Sequence, residues 1–403
     1  MKAREPERKP LVLHVAPTPF FSDRGCHLRI QGIVTALECA GAGSIVCTYH
    51  HGRDVAGVTT RRIGTVPGYS SREPGPNRHK YRADWKLLWL TVRTVARSKP
   101  DLIHGHLHEG ILIGWLARCL CFWRRIPLVG DLQGSLVDEL DSYGYFRRST
   151  SLRRLFRLVE NVILRLPRHL TISSAGTLEQ VHRSHGVLRQ RTTLIADRVC
   201  PSHFGDGGDD RADRPVTLVY SGSLLRSKGL ADLHQLLGLV LERRPELHAL
   251  VVGSPRETTL SFLTERGLED RCTLTGTLRY ELLPEYLARA DIGIDPKGEG
   301  SSEGSAKIVN YMAAGLPVVA FETRNNRELL GEEAYLAPPG DIDALRARVE
   351  VLLDHPELRR REGRRNRERV EERLSWEDAA PLLQEIYRRV SPRRAAERWV
   401  RPE

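Results

Sequence analysis

The stretch from Ala290 to Thr323 holds residue types that bind anions. A short apolar run ends at Asp295-Pro296, and a small, polar loop follows with Gly298, Gly300, Ser301, Ser302, Gly304 and Ser305. A helical pattern then opens near Ala306 and stops at Gly315, with Pro317 just beyond. Gly and then Pro are helix-stop punctuation. The free N–H groups of a helix start beside a small-residue loop make an anion site, although plain helix capping gives the same pattern. A second pattern is His104, His106 and His108 in HGHLHE. Alternate residues of an extended strand share one face, which superficially suggests metal. No second ligand cluster accompanies them, so no metal cofactor is expected.

These patterns need elements to hold them. Leu11–Ala16 (LVLHVA) is a buried-strand run, followed by the loop Pro17–Gly25. Cys26–Ala40 is an amphipathic helix with Leu28, Ile30, Ile33, Val34 and Leu37 on its apolar side. Ser44–Tyr49, Leu102–His104, Pro127–Gly130 and Leu170–Ser173 read as strands, with a buried helix at Glu109–Trp123. The pattern restarts at Val216–Tyr220 and continues with strands at Ala249–Val252, Cys272–Leu274, Ile292–Ile294 and Val318–Phe321. Such alternation implies α/β architecture, with parallel sheets covered on both faces. The polar break Asp206–Arg214 (DGGDDRADR), beside a linker near Ile195–Pro201, favours two doubly wound lobes over one (β/α)₈ barrel. Two such lobes are expected to face a central cleft at the carboxyl ends of their strands.

The bulk properties agree. A chain of 403 residues suits two domains. Its 40% hydrophobic and 28% charged residues make it globular rather than disordered. The net charge of +11 favours anionic partners, though Arg-rich runs such as Arg359–Arg369 also read as solvated helix faces. Seven scattered Cys without a C-x-x-C pair suit a reducing compartment rather than a disulfide or zinc framework. The start MKAREPERKP has no apolar run of the signal-peptide kind. Ile111–Trp123 is too short for a membrane span of about 20 residues. A cytoplasmic location is therefore expected.

The run Lys307–Val319 (KIVNYMAAGLPVV) resembles the K-x-x-E-Y-M-A-x-G-x-P-V-V signature of glycosyltransferase family 4. That family has the GT-B fold, two Rossmann-like domains, and transfers sugars from nucleotide-sugar donors with retention. Tyr220–Gly229 (YSGSLLRSKG), Asp23–Arg29 (DRGCHLR) and Ser375–Tyr387 are similar to its cation loop, its N-terminal Gly loop and its closing helix, so the likeness spans nearly the whole chain. It implies an acceptor-side domain over residues 1–197, a donor-side domain over 198–374, and a final helix, 375–403, that crosses back to the first.

The same likeness implies roles. Lys228, with Arg226 and Gly222 in its loop, meets the donor diphosphate, where a fixed cation stabilises charge that grows in the transition state. Ser305, Ala306 and Lys307 hold the same phosphates. Gly25 lets the N-terminal loop approach a substrate, and Gly276 with Leu278 faces the nucleobase. Two departures stand out. The family's paired Glu residues fall on Asn310 and Ser302, with Glu303 one step away, which puts the ribose and sugar-hydroxyl contacts in doubt. The strand Leu128–Gly130, which usually leads to a His, leads here to Asp131. Asp131 is a candidate for holding a hydroxyl or acting as a base, and also for capping a turn.

The acceptor is open: a glycan, a lipid-linked sugar or a small molecule, with cell-surface polysaccharide or glycoconjugate synthesis as the setting. Arg147–Arg168 (RRSTSLRRLFRLVENVILRLPR) has apolar residues at helical spacing among many Arg. Such a helix either rests peripherally on the anionic inner face of the plasma membrane or packs its apolar stripe on the sheet. A nucleotide-sugar epimerase and a non-catalytic GT-B binding protein are the alternative functions. Nucleic acid is not an expected partner, because no aromatic-and-basic recognition motif accompanies the charge.

Overall fold

The computed structural model describes residues 8–69, 79–142, 144–146, 149–205, 214–298, 304–332, 334–392 and 396–399. The chain divides into two compact units, Met1–Ala196 with Trp376–Glu403, and Asp197–Ser375. The first runs β1 (Leu11–Ala16), α1 (Gly25–Cys39), β2 (Gly43–Thr48), β3 (Thr59–Arg62), α2 (Lys80–Ser98), β4 (Leu102–His106), α3 (Leu107–Leu120), β5 (Leu128–Leu132), α4 (Leu136–Ser142), α5 (Thr150–Ile163), β6 (His169–Ile172), α6 (Ala175–His185) and β7 (Thr192–Leu194). The second runs β8 (Thr217–Ser221), α7 (Leu230–Arg243), β9 (His248–Val252), α8 (Glu257–Thr264), β10 (Cys272–Gly276), α9 (Leu283–Leu287), β11 (Ile292–Asp295), α10 (Ala306–Ala313), β12 (Val318–Phe321), α11 (Arg324–Leu330), β13 (Tyr335–Ala337), α12 (Ile342–Asp354) and α13 (Pro356–Arg373). The last helix, α14 (Trp376–Val390), belongs to the first unit.

All strand pairs in both sheets are parallel. The first sheet has the order β3-β2-β1-β4-β5-β6-β7 and the second β10-β9-β8-β11-β12-β13. Central strands such as β1, β5 and β8 are buried along their length because helices cover both faces. Each order reverses once, between β1 and β4 and between β8 and β11, so each unit has a switch point where ligands of doubly wound sheets bind.

Helix α14 is held on the first unit by close approach and by polar contacts. A side chain at Gly32 would overlap the Trp376 indole, its Cβ lying 2.0 Å from the ring, so α1 and α14 meet only because residue 32 has none. Gln384 donates to the Ala40 carbonyl at 3.0 Å, and the Tyr387 hydroxyl lies 2.8 Å from His104 Nδ1.

The first unit's core is unusually rich in histidine: His14, His27, His104 and His169 are all buried. Burial, with neighbouring imidazoles second, holds His14 and His104 well below the usual histidine range. Burial pushes His27 down to about 3 and His169 to about 4. These rings are neutral in the fold and take up protons on unfolding at about pH 6.5. Stability is therefore greatest above that pH and falls as the pH drops toward the folded-state values, each ring contributing up to about 1.4 kcal/mol per pH unit. Denaturant titrations between pH 7.5 and 5 should show this loss, and His27→Gln should flatten the curve; a wild-type curve without slope would contradict neutral buried rings.

Candidate functional site

The second unit's switch point is built from the two loops that leave β8 and β11. Gly229, in the left-handed region at φ 84, closes the turn Arg226–Lys228. An added Cβ there would lie 2.4 Å from the Pro296 carbonyl oxygen. The cation-bearing turn is thus pressed against the chain that leaves β11 and leads to α10. Arg226 is exposed and Lys228 half-buried. The Gly222 backbone, at φ 147, lies beside Lys307, whose Cε would be 3.1 Å from a Cβ at that position.

At the start of α10, Ser305 makes no side-chain cap. Its hydroxyl instead donates to Asp295 Oδ2 at 2.5 Å, and Lys307 Nζ donates to Asp295 Oδ1 at 3.0 Å. Asp295 is fully buried. Burial alone would raise its carboxyl, but the Lys307 ammonium and Ser305 hydroxyl hold it below the usual range. Burial likewise works against the Lys307 charge, and Asp295 more than restores it. The Lys307 ammonium also lies 4.4 Å from the centre of the Tyr220 ring. The expected phosphate-facing charge of Lys307 is therefore neutralised within the protein, and the Ser305 hydroxyl is already in use. The first N–H groups of α10, at Ala306 and Lys307, are backbone donors of the kind that meet an anion.

Asn310 is buried on α10 and its Oδ1 accepts from the Tyr280 hydroxyl at 3.0 Å. Gly276 ends β10 at φ 71, and Leu278 follows it, half-buried. Glu303 and Ser302 lie outside the described residues.

In the first unit, Gly25 is exposed at the first residue of α1. Asp131, at the end of β5, is fully buried. Arg29 donates to its Oδ1 from Nε at 3.0 Å and from Nη2 at 2.7 Å, and Thr171 donates to the same oxygen at 2.8 Å. His106 Nδ1 lies 3.1 Å from Oδ2, and Gln133 Nε2 donates to it at 3.1 Å. A carboxylate only accepts, so His106 carries its proton on Nδ1. Burial would raise the Asp131 carboxyl, but the Arg29 guanidinium and the His106 N–H hold it well below the usual range. A carboxylate so acidic, inaccessible and fully partnered is not available as a base or as a hydroxyl acceptor. The expected catalytic role of Asp131 gives way to a positioning one.

Sequence reasoning missed His14, which reaches the same cluster from β1. His14 Nδ1 and His106 Nε2 are 3.0 Å apart, and ring nitrogens of His14, His104 and His106 lie within 4.8 Å of one another, close enough to share a metal ion. His108 is turned elsewhere, to Glu160 at 3.2 Å. A second cluster that sequence reasoning missed joins Lys80 to Glu109 and Tyr49 to Asp84. Burial pushes Asp84 up to about 6, against the pull of Lys80.

Two family descriptions match. "Glycosyl transferase 4-like domain" covers residues 24–197, and "Glycosyl transferases group 1" covers residues 215–355. The chain is 29% identical over 311 residues to the MMP alpha-(1->4)-mannosyltransferase of Mycolicibacterium hassiacum, across 74% of this chain and 73% of that one. It is 26% identical over 332 residues to the alpha-D-kanosaminyltransferase of Streptomyces kanamyceticus, across 76% and 83%. Among solved structures, the sucrose-phosphate synthase of Thermosynechococcus elongatus aligns with a TM-score of 0.78 at 21% identity, covering 95% of this chain and 99% of that one. Anabaena HepE in complex with UDP-glucose aligns at 0.67 and 16% identity, covering 93% and 98%. These matches are to transferases and leave the epimerase and non-catalytic readings without support. The two parallel-sheet units, the two family matches and the transferase relatives agree: this chain belongs to glycosyltransferase family 4, has the GT-B fold, and is an enzyme that takes its sugar from a nucleotide-sugar donor.

Proposed function

We propose that the chain is a retaining hexosyltransferase whose donor diphosphate lies at the switch point of the second sheet, between the Arg226–Gly229 turn and the start of α10. The observation that carries this reading is the close approach of the loop after β8 to the chain after β11, with Gly229 against Pro296 and Gly222 against Lys307 of α10, in the loop that carries the exposed Arg226 and half-buried Lys228. Lys228 and Arg226 supply positive charge to the departing nucleoside diphosphate, and the Ala306 and Lys307 N–H groups bind its oxygens. Lys307 with Asp295 and Ser305 shapes the loop, and Gly222 gives the phosphates room. No metal ion is required, because the leaving charge is met by protein cations and backbone donors. Gly276 and Leu278 flank the nucleobase, with Asn310 and Tyr280 toward the ribose and Glu303 toward the sugar hydroxyls.

The first unit takes the acceptor, a glycan, lipid-linked or small-molecule alcohol, with Gly25 at the rim and Asp131 fixing the rings and strands beneath. Surface polysaccharide or glycoconjugate synthesis is the setting this suits. Among the described residues no helix is long and apolar enough to cross a membrane. Peripheral contact with an anionic membrane through residues 147–168 fits the exposed Leu155 and Leu158 of α5.

Lys228→Ala should lower turnover by roughly 10²–10³-fold, as loss of a transition-state charge contact does, with the circular dichroism spectrum unchanged. Nucleotide release across a panel of nucleotide sugars measures it, and near wild-type turnover would remove Lys228 from the mechanism.

With its one uncharged side-chain oxygen already accepting from Tyr280, Asn310 is a weaker acceptor for ribose hydroxyls than a carboxylate would be. Calorimetry should therefore find UDP preferred over dUDP by less than tenfold, about 1.4 kcal/mol. Asn310→Glu, which restores a charged acceptor, should widen the gap. A larger wild-type preference would place the ribose elsewhere.

A further inference from the structure

We propose that α2, the turn after α3, and α5 form one docking face for an anionic lipid bilayer, with aromatic side chains inserted at the interface. This rests on the peripheral contact suggested for α5 and extends it to a surface three helices wide.

Exposed apolar bulk is concentrated here. Of the fifteen large hydrophobic residues exposed among the described residues, ten lie on these three helices and the turn after α3. Tyr81, Trp85 and Trp89 recur at i, i+4, i+8 along α2, at 73%, 61% and 42% exposure. Phe122 and Trp123, at 74% and 59%, stand in the turn after α3. That turn lies against α2, since Arg124 donates to the Ala96 carbonyl at 3.3 Å. Helix α3 also packs on α5.

On α5 the outward residues are Leu155, Leu158, Val159 and Val162, at i, i+3, i+4 and i+7. Their orientation is fixed from the opposite side of the helix. Glu160 points inward, buried, accepting from the Leu136 N–H at 2.8 Å with His108 Nε2 at 3.2 Å. Turning the leucines inward would expose this network and strand its partners. The leucines therefore face outward because a buried carboxylate holds the helix.

Charge selects the occupant. The acidic residues of α2, α3 and α5 are Asp84, Glu109 and Glu160, and none is exposed. Arg82, Lys86, Arg93, Arg124, Arg154 and Arg157 are exposed on the same elements. Apolar residues with indole rings among cations, and no exposed carboxylate on these three helices, match a bilayer interface with negative headgroups. A second copy of the chain would set these cations against one another.

The test is flotation of the full chain with vesicles of phosphatidylcholine, with and without phosphatidylglycerol, at low and high salt. Binding is expected with the anionic vesicles at low salt, weakening as salt rises. Arg154→Gln/Arg157→Gln should lower low-salt partitioning by roughly fivefold per arginine. Phe122→Ser/Trp123→Ser should weaken binding at every salt concentration. Brominated lipid should quench the tryptophan emission of wild type and less that of Trp85→Ser/Trp123→Ser. Calorimetric UDP binding should be unchanged in all variants, which separates this face from the donor site. Recovery of unbound protein in every condition would overturn the proposal. So would binding that the variants leave untouched, or a face that proves by light scattering to be a dimer contact without vesicle binding.

Discussion

The ion pair between Arg29 and Asp131 is the fixed point of the first unit. Both side chains are buried, so neither charge has water to fall back on, and each must be met within the protein. Asp131 meets Arg29 of α1, His106 of β4, Thr171 of β6 and Gln133 beyond β5. Arg29 spends another donor on the Ile195 carbonyl, just past β7, at 2.7 Å. One carboxylate thus ties a helix and three strands whose residues are far apart in sequence. Removing one partner of such a pair costs about 3–5 kcal/mol, because the other charge stays buried. The proton that Asp131 places on His106 Nδ1 passes the constraint on to His14, and through the ring cluster to His104 and Tyr387 of α14.

The second unit repeats the device at the end of β11, where Asp295 engages Lys307 and Ser305. In both units a carboxylate at a strand's carboxyl end takes a cation from the helix side and withdraws it from ligands. At the second unit's switch point, charge for an anionic substrate is offered by Arg226, exposed in its turn, with Lys228 half-buried beside it. The division of labour is physical. Cations that shape the loops are deep and paired, and cations proposed to meet the diphosphate lie where water and substrate reach them.

Much of this was legible beforehand, and the failures have a common cause. Central strands are apolar runs because both faces are covered, so β1, β8 and β12 stand out in the sequence. The strands that escaped notice, β3 (TTRR), β7 (TTL) and β13 (YLA), all lie at sheet edges, where partial burial asks for no apolar run. At the site, Lys307 and Asp131 were found as residues but misread as roles. Their partners are Asp295, 12 residues away, and Arg29, 102 residues away. Composition and spacing mark a chemically able side chain; they do not say whether that ability is already spent. His14 was invisible for the same reason, since a lone His in an apolar strand carries no sign of the two rings beside it.

The same principle explains α5. Its apolar residues sit at helical spacing, and a pattern of that kind ordinarily predicts an apolar stripe turned to the core. The pattern counts only greasy positions, however, and a buried carboxylate outweighs several of them. Leaving a leucine in water forfeits about 1.5–3 kcal/mol, while an unpaired ionised carboxylate in the interior costs far more unless it is neutralised. Once the Leu136 N–H and His108 converge on one spot, Glu160 must face them, and the leucines on the other side of the helix follow. Polar groups at the fixed points, rather than the hydrophobic count, therefore decide which surface this unit turns outward.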